Sequence, residues 1–114
     1  MTIKLSVPAI EESTYVVTVS FIDTEKSAVV PKLASWSLFD EDRAIVNSRE
    51  DVNIDPLAAT VNIVLTGADL AIPDTEKPIR YLLVKAQYDS VLYGNDLNLK
   101  EEFRFKITNL FGET

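Results

Sequence analysis

The chain has 114 residues, a formal net charge of -7 from 18 acidic and 11 basic side chains, no histidine, no cysteine and only three glycines. That length suits one acidic domain whose core stands without disulfides or a structural metal. Missing imidazoles and thiols exclude imidazole general bases, thiol nucleophiles and Cys/His zinc sites, and scattered basic residues on an acidic chain argue against nucleic-acid binding.

Period-two alternation dominates the chain. Ile3, Leu5 and Val7 alternate with Lys4 and Ser6, predicting a first strand that Pro8 ends. This start lacks the basic head and unbroken apolar run of a secretory signal, and no window of 18 residues is wholly apolar. The expectation is therefore a soluble chain that folds in a cytoplasm and does not enter a membrane.

Tyr15, Val17, Val19 and Phe21 share one face of a second strand, and Ala34, Trp36 and Leu38 alternate with Ser35 and Ser37 in a third, with Trp36 inward. The acidic turn Asp40-Glu41-Asp42-Arg43 leads to a short partner strand over residues 44–48, which reads as a hairpin. A further short strand is expected over 52–54, before Pro56. Val61, Ile63 and Leu65 then alternate with Thr60, Asn62 and Thr66 more cleanly than any other segment.

Residues 67–70 and 74–78 are rich in turn formers and predict a crossing connection. Strand character resumes over 80–88, with Leu82, Val84, Ala86 and Tyr88 on one face. After a loop over 89–98, the alternation of Phe103, Phe105 and Ile107 with Arg104 and Lys106 defines the last strand. The pattern as a whole predicts an all-β, antiparallel two-sheet sandwich of about seven strands. It forms one domain over residues 1–108, with a C-terminal tail over 109–114. An inward Trp36 on the third strand, with Tyr81 near a corner, is the arrangement found in immunoglobulin-like sandwiches.

Candidate chemistry is sparse. Asp40, Glu41 and Asp42 are either a calcium-binding cluster or a solvated hairpin tip, and they lack the glycine and spaced ligands of an EF-hand loop. The adjacent pairs Glu11-Glu12 and Glu101-Glu102 point to opposite faces of a strand and make no carboxylate dyad. There is no Ser-x-x-Lys spacing, and Gly67, Gly94 and Gly112 lie too far apart for a phosphate-cradling loop. No enzymatic activity, cofactor or metal is expected.

The informative exceptions are apolar residues where loops should be polar. Val91, Leu92 and Tyr93 lie in the loop over residues 89–97. They either contact a partner or fold back over the open end of the sandwich. Leu110 and Phe111, after the last strand, dock either on the domain or on a neighbour. These five residues are the candidate interface.

Several stretches carry a resemblance: Thr18-Val19-Ser20-Phe21, Trp36-Ser37-Leu38-Phe39-Asp40, Val46-Asn47-Ser48-Arg49, Arg80-Tyr81-Leu82-Leu83-Val84, Tyr88-Asp89-Ser90 and Gly94-Asn95-Asp96-Leu97-Asn98-Leu99-Lys100. Over residues 14–107 the chain resembles the small immunoglobulin-like or fibronectin-III-like virion proteins of tailed bacteriophages and prophages. The resemblance implies a non-enzymatic structural role in the head, head-tail connection or tail, after synthesis in the host bacterial cytoplasm. Its implied partners are other virion proteins and further copies of itself, with no nucleic acid and no membrane. The alternative is an adhesive or carbohydrate-binding sandwich module, in which Tyr88 or Tyr93 at the surface stacks on sugar rings.

Overall fold

In a computed structural model that describes residues 2–23, 25–72 and 77–108, the chain is built from strands and one 3-10 turn. The strands are β1 (Thr2–Lys4), β2 (Ala9–Ile10), β3 (Thr14–Ser20), β4 (Leu33–Phe39), β5 (Val52–Asn53), β6 (Thr60–Thr66), β7 (Ile79–Ser90) and β8 (Gly94–Thr108). The 3-10 turn is Gly67–Leu70. Among the described residues no helix is long and apolar enough to cross a membrane.

Two sheets form. One has six strands, ordered β1-β8-β7-β4-β5 with β2 also paired to β8; the other is the two-stranded pair β3-β6. Because the side-chain period of a strand is two, each strand sends alternate residues inward. The buried set is Val17 and Val19 from β3, Val61, Ile63 and Leu65 from β6, Ala34, Trp36 and Leu38 from β4, Leu82, Val84 and Ala86 from β7, and Phe103, Phe105 and Ile107 from β8. Phe21, just past β3, is fully buried with them. The faces expected from the sequence for β3, β4, β6, β7 and β8 are those observed.

The chain ends depart from simple antiparallel pairing. β1 and β2 both run parallel to β8, with Ile3 opposite Phe103 and Ala9 opposite Ile107. No hairpin joins these segments, so no turn dictates antiparallel pairing. The first strand is also shorter than its alternation suggests. Leu5 N–H still reaches Arg104 O at 2.8 Å, but the chain leaves the ladder over residues 6–8 and resumes as β2.

The strand expected over 44–48 does not form. Asn47 and Ser48 sit at φ 54 and 58, in the left-handed region, and a ladder cannot continue through two such residues. Only an isolated bridge joins Ile45 to Phe39, while Leu38 N–H donates to Arg49 O and Asp51 N–H to Ser37 Oγ. The strand expected at 52–54 is present as β5, followed by Ile54 N–H on Ala34 O at 3.0 Å.

Tyr81 does not fill an inward corner. The buried residues of β7 are Arg80, Leu82, Val84, Ala86 and Tyr88, so Tyr81 lies on the opposite face. There the Arg43 guanidinium covers its ring, 4.1 Å from the centroid. Arg80 is buried and donates to three main-chain carbonyls, those of Lys77 and Ile79 at 2.9 Å and of Ala71 at 3.1 Å. Burial pulls its guanidinium below the ordinary value against the opposing fields of Asp40 and Glu41. The crossing connection is thereby tied to the start of β7; residues 73–76 of that connection lie outside the described residues.

The loop expected over 89–98 is instead an extension of the ladder. Tyr88 pairs with Leu97 and, after a register shift, Ser90 pairs with Gly94, leaving a turn of residues 91–93. A twelve-residue β7 at about 3.4 Å per residue spans roughly 40 Å. This long hairpin accounts for principal extents of 54 × 25 × 24 Å.

Candidate functional site

The tip of the β7-β8 hairpin brings together three of the five residues singled out in the sequence. Val91 is fully exposed, and Leu92 and Tyr93 are 68% and 61% exposed. They do not fold back over the core. Leu110 and Phe111 lie outside the described residues, as does the whole tail over 109–114.

The turn carrying these apolar side chains is held from beneath by polar contacts. Ser90 Oγ accepts the N–H groups of Leu92 and Tyr93, each at 3.1 Å. Gly94 takes φ +104, a conformation that side chains rarely adopt, and it returns the chain into β8. Asp89 Oδ1 accepts Asp96 N–H at 3.0 Å. Lys32 Nζ, from the segment entering β4, lies 3.0 Å from Asp89 Oδ1 and also bonds Asp96 Oδ1. Hydrogen bonds to Asp96 and then Asp89 hold the Lys32 ammonium above its ordinary pKa. The Asp89 carboxyl is held below its own, chiefly by the Asp96 N–H and then by Lys32. An apolar triplet on a pinned turn can dock on a partner without first losing much loop entropy.

Tyr88 is not a surface platform. It points inward and is 3% exposed, because the register of β7 places it on the same face as Leu82, Val84 and Ala86. Carbohydrate stacking thus keeps one of its two proposed aromatics, Tyr93.

The acidic turn is a largely exposed tip, with the Asp42 and Arg43 side chains 64% and 56% exposed, but polar contacts tie it down. Asp40 Oδ1 accepts the N–H groups of Asp42 and Ala44, Glu41 Oε2 accepts Ile79 N–H at 2.9 Å, and Asp42 Oδ2 meets Lys77 Nζ at 2.9 Å. Arg43 bonds Glu102 at 2.7 Å while stacking on Tyr81. The turn stitches the 40–44 segment onto the start of β7. Among the described residues no group of three or more acidic side chains is placed to hold a metal ion.

One buried carboxylate was not singled out in the sequence. Asp69, in the 3-10 turn after β6, is fully buried and accepts Arg49 Nε at 2.7 Å and Nη2 at 3.3 Å, Asn47 Nδ2 at 2.9 Å and Thr66 N–H at 3.1 Å. Burial, the largest single influence, pushes this carboxyl up. Arg49, Asn47 and Thr66 together outweigh it and hold the pKa below the ordinary carboxylate value. The Arg49 guanidinium also lies 5.8 Å from the Trp36 ring centroid. This clamp joins the irregular 45–50 segment to the end of the small sheet. Its one sequence signal is Thr66-Gly67-Ala68-Asp69, a Thr-x-x-Asp helix-start pattern. Compared with protein-family models, with curated proteins and with solved structures, the chain matches none.

Proposed function

We propose that the chain is a non-enzymatic contact module with an immunoglobulin-like sandwich fold, working as a structural or assembly protein of a tailed-phage or prophage virion. The strand neighbours support the fold: β3 pairs with β6 in one sheet, and β8, β7, β4 and β5 follow one another in the other. Immunoglobulin-like domains arrange strands B and E, and G, F, C and C′, in this way. A buried Trp36 on β4, the strand C position, points the same way.

The observation that carries the function is the exposed Val91-Leu92-Tyr93 tip on its pinned hairpin. Apolar side chains, tyrosine among them, presented on a preorganised turn are suited to anchoring a protein partner. The virion assignment rests on the strand-and-turn resemblance alone.

The test uses the encoding bacterium after prophage induction. Mass spectrometry of purified particles should find this chain in them. A Val91→Ser, Leu92→Ser, Tyr93→Ser variant should melt as the parent does, because these side chains are exposed, yet be depleted from particles. Particles without the parent chain overturn the virion assignment. Particles that carry the variant at the parent level overturn the tip as the contact.

A further inference from the structure

We propose that the free edge of β6 is a self-pairing strand, to which a second copy of the chain adds its own β6 antiparallel about a two-fold axis at Asn62. The parity of the β3-β6 ladder identifies which groups are available. Phe21 N–H donates to Ala59 O and Gly67 N–H to Ser13 O, so odd-numbered residues of the two strands exchange the hydrogen bonds. Thr60, Asn62 and Val64 therefore direct their N–H and C=O groups away from β3. Among the described residues no strand pairs with that side of β6.

Among the described residues a groove runs beside this edge. It is lined by Trp36, Ile54, Pro56 and Ala58 together with residues 60–64, and Asp55 is the one charged residue along it. Residues 53–58 stand across the groove from β6 much as residues 5–7 stand beside β3, but the β3 side is also tied by a hydrogen bond from Tyr15 OH to Val7 O. The long β6 edge is also unprotected by its chemistry. Natural sheets blunt their edges with short strands, charge or proline. The six-stranded sheet follows that rule, with β1, β2 and β5 of three, two and two residues. β6 has seven residues, Thr-Val-Asn-Ile-Val-Leu-Thr, without a charge, proline or glycine, and Val64 is 51% exposed.

Charge selects the occupant. Two copies at -7 each repel wherever their acidic surfaces meet, and a cationic partner finds no carboxylate on this strand. An uncharged Thr/Val/Asn strand is what the edge fits, and the chain supplies one. With Asn62 opposite Asn62 of the second copy, Thr60 faces its Val64 and Val64 its Thr60. Three facing pairs, each exchanging two bonds, give six main-chain hydrogen bonds across the axis. The result is one four-stranded sheet running through both copies.

A strand pair of this length buries less than the ~1,200 Å² typical of stable interfaces, so the dimer is weak and concentration-dependent. The inference rests on the contact-module reading but uses a surface other than residues 91–93. Sedimentation equilibrium of the whole chain, from ~10 μM to ~1 mM at low salt and at ~0.5 M salt, tests it. A monomer-dimer equilibrium should appear and strengthen with salt, as the mutual repulsion is screened.

Val64→Lys and Asn62→Pro should each weaken association at least tenfold with melting little changed. Both side chains are exposed, and the Asn62 N–H is not used by β3. A chain monomeric at ~1 mM, a dimer weakened by salt, or a dimer indifferent to both variants overturns the proposal. A dimer that survives Val64→Lys but is lost on changing residues 91–93 to serine also overturns it, while leaving the contact-module reading intact.

Discussion

Asp69→Asn takes the charge from a fully buried carboxylate while keeping its shape. An amide offers one oxygen where the carboxylate used two, so its NH2 group must face an Arg49 guanidinium N–H, with the Thr66 N–H beside it in one orientation, and both are donors. A hydrogen bond to a charged group contributes about 1.5–3 kcal/mol, and a buried orphaned donor costs about 1–3 kcal/mol. Arg49 is 38% exposed and can turn to water, so its share falls toward the ~0–1 kcal/mol of surface pairs. Relief of the carboxylate's burial offsets part of the rest, leaving a net loss of about 2 kcal/mol.

In urea, with a slope of about 1–2 kcal/mol per molar for a small protein, the unfolding midpoint should fall by roughly 1–2 M at pH 7. Because the folded carboxyl titrates below its unfolded value of about 3.9, its contribution is fully present above that value. It is lost as pH falls through the folded pKa. The gap between parent and variant should therefore close below about pH 4. A variant within ~0.5 kcal/mol of the parent at pH 7, or a gap that widens on acidification, refutes the reasoning.

Two further expectations follow from other contacts. Trp36→Ala empties a buried site shared by both sheets and should cost about 3–5 kcal/mol, lowering Tm by roughly 12–20 °C; a calorimetric loss under ~1 kcal/mol contradicts its place in the core. Lys32→Ala should leave Tm nearly unchanged, because the pair is exposed, yet speed amide hydrogen exchange at Asp96, whose N–H is held by Asp89. Acidification through the depressed Asp89 pKa should likewise lower the protection factor of the Asp96 N–H in the parent, after correction for the intrinsic exchange rate, and unchanged protection in both cases would dismiss the clamp.

The inward faces of the long strands were readable because alternation is a local property. Val61, Ile63 and Leu65 sit on the same side of any strand they form, so their burial follows from spacing alone. The same rule placed Trp36 and Phe105 correctly. It misread residues 44–48, whose apolar spacing resembles a strand although Asn47 and Ser48 turn left-handed to carry Asn47 and Arg49 to Asp69. It places Tyr88 on the buried face of β7, but at the last residue before polar Asp89-Ser90 the same pattern also allows a surface position, and only the continued ladder turns the ring inward.

What only the tertiary structure decided involves residues far apart in the chain. Lys32 meets Asp89 and Asp96, Arg49 meets Asp69, and β1 lies parallel to β8, all through chain crossings that no local pattern encodes. The length of the β7-β8 hairpin was hidden for a related reason. Beyond Tyr88 the ladder outruns the core, so Gly94, Asn95 and Asp96 face water in β8, and Leu97 and Leu99 alone, against Asn98 and Lys100, are too short a run of alternation to mark a strand that reaches the tip. The edge of β6, which no strand pairs among the described residues, is the clearest case, because a neighbour is a property of the sheet and not of the strand. The alternation of β6 determined which side chains it buries, whereas only the assembled sheets decided which of its backbone groups bond to β3 and which face away from it.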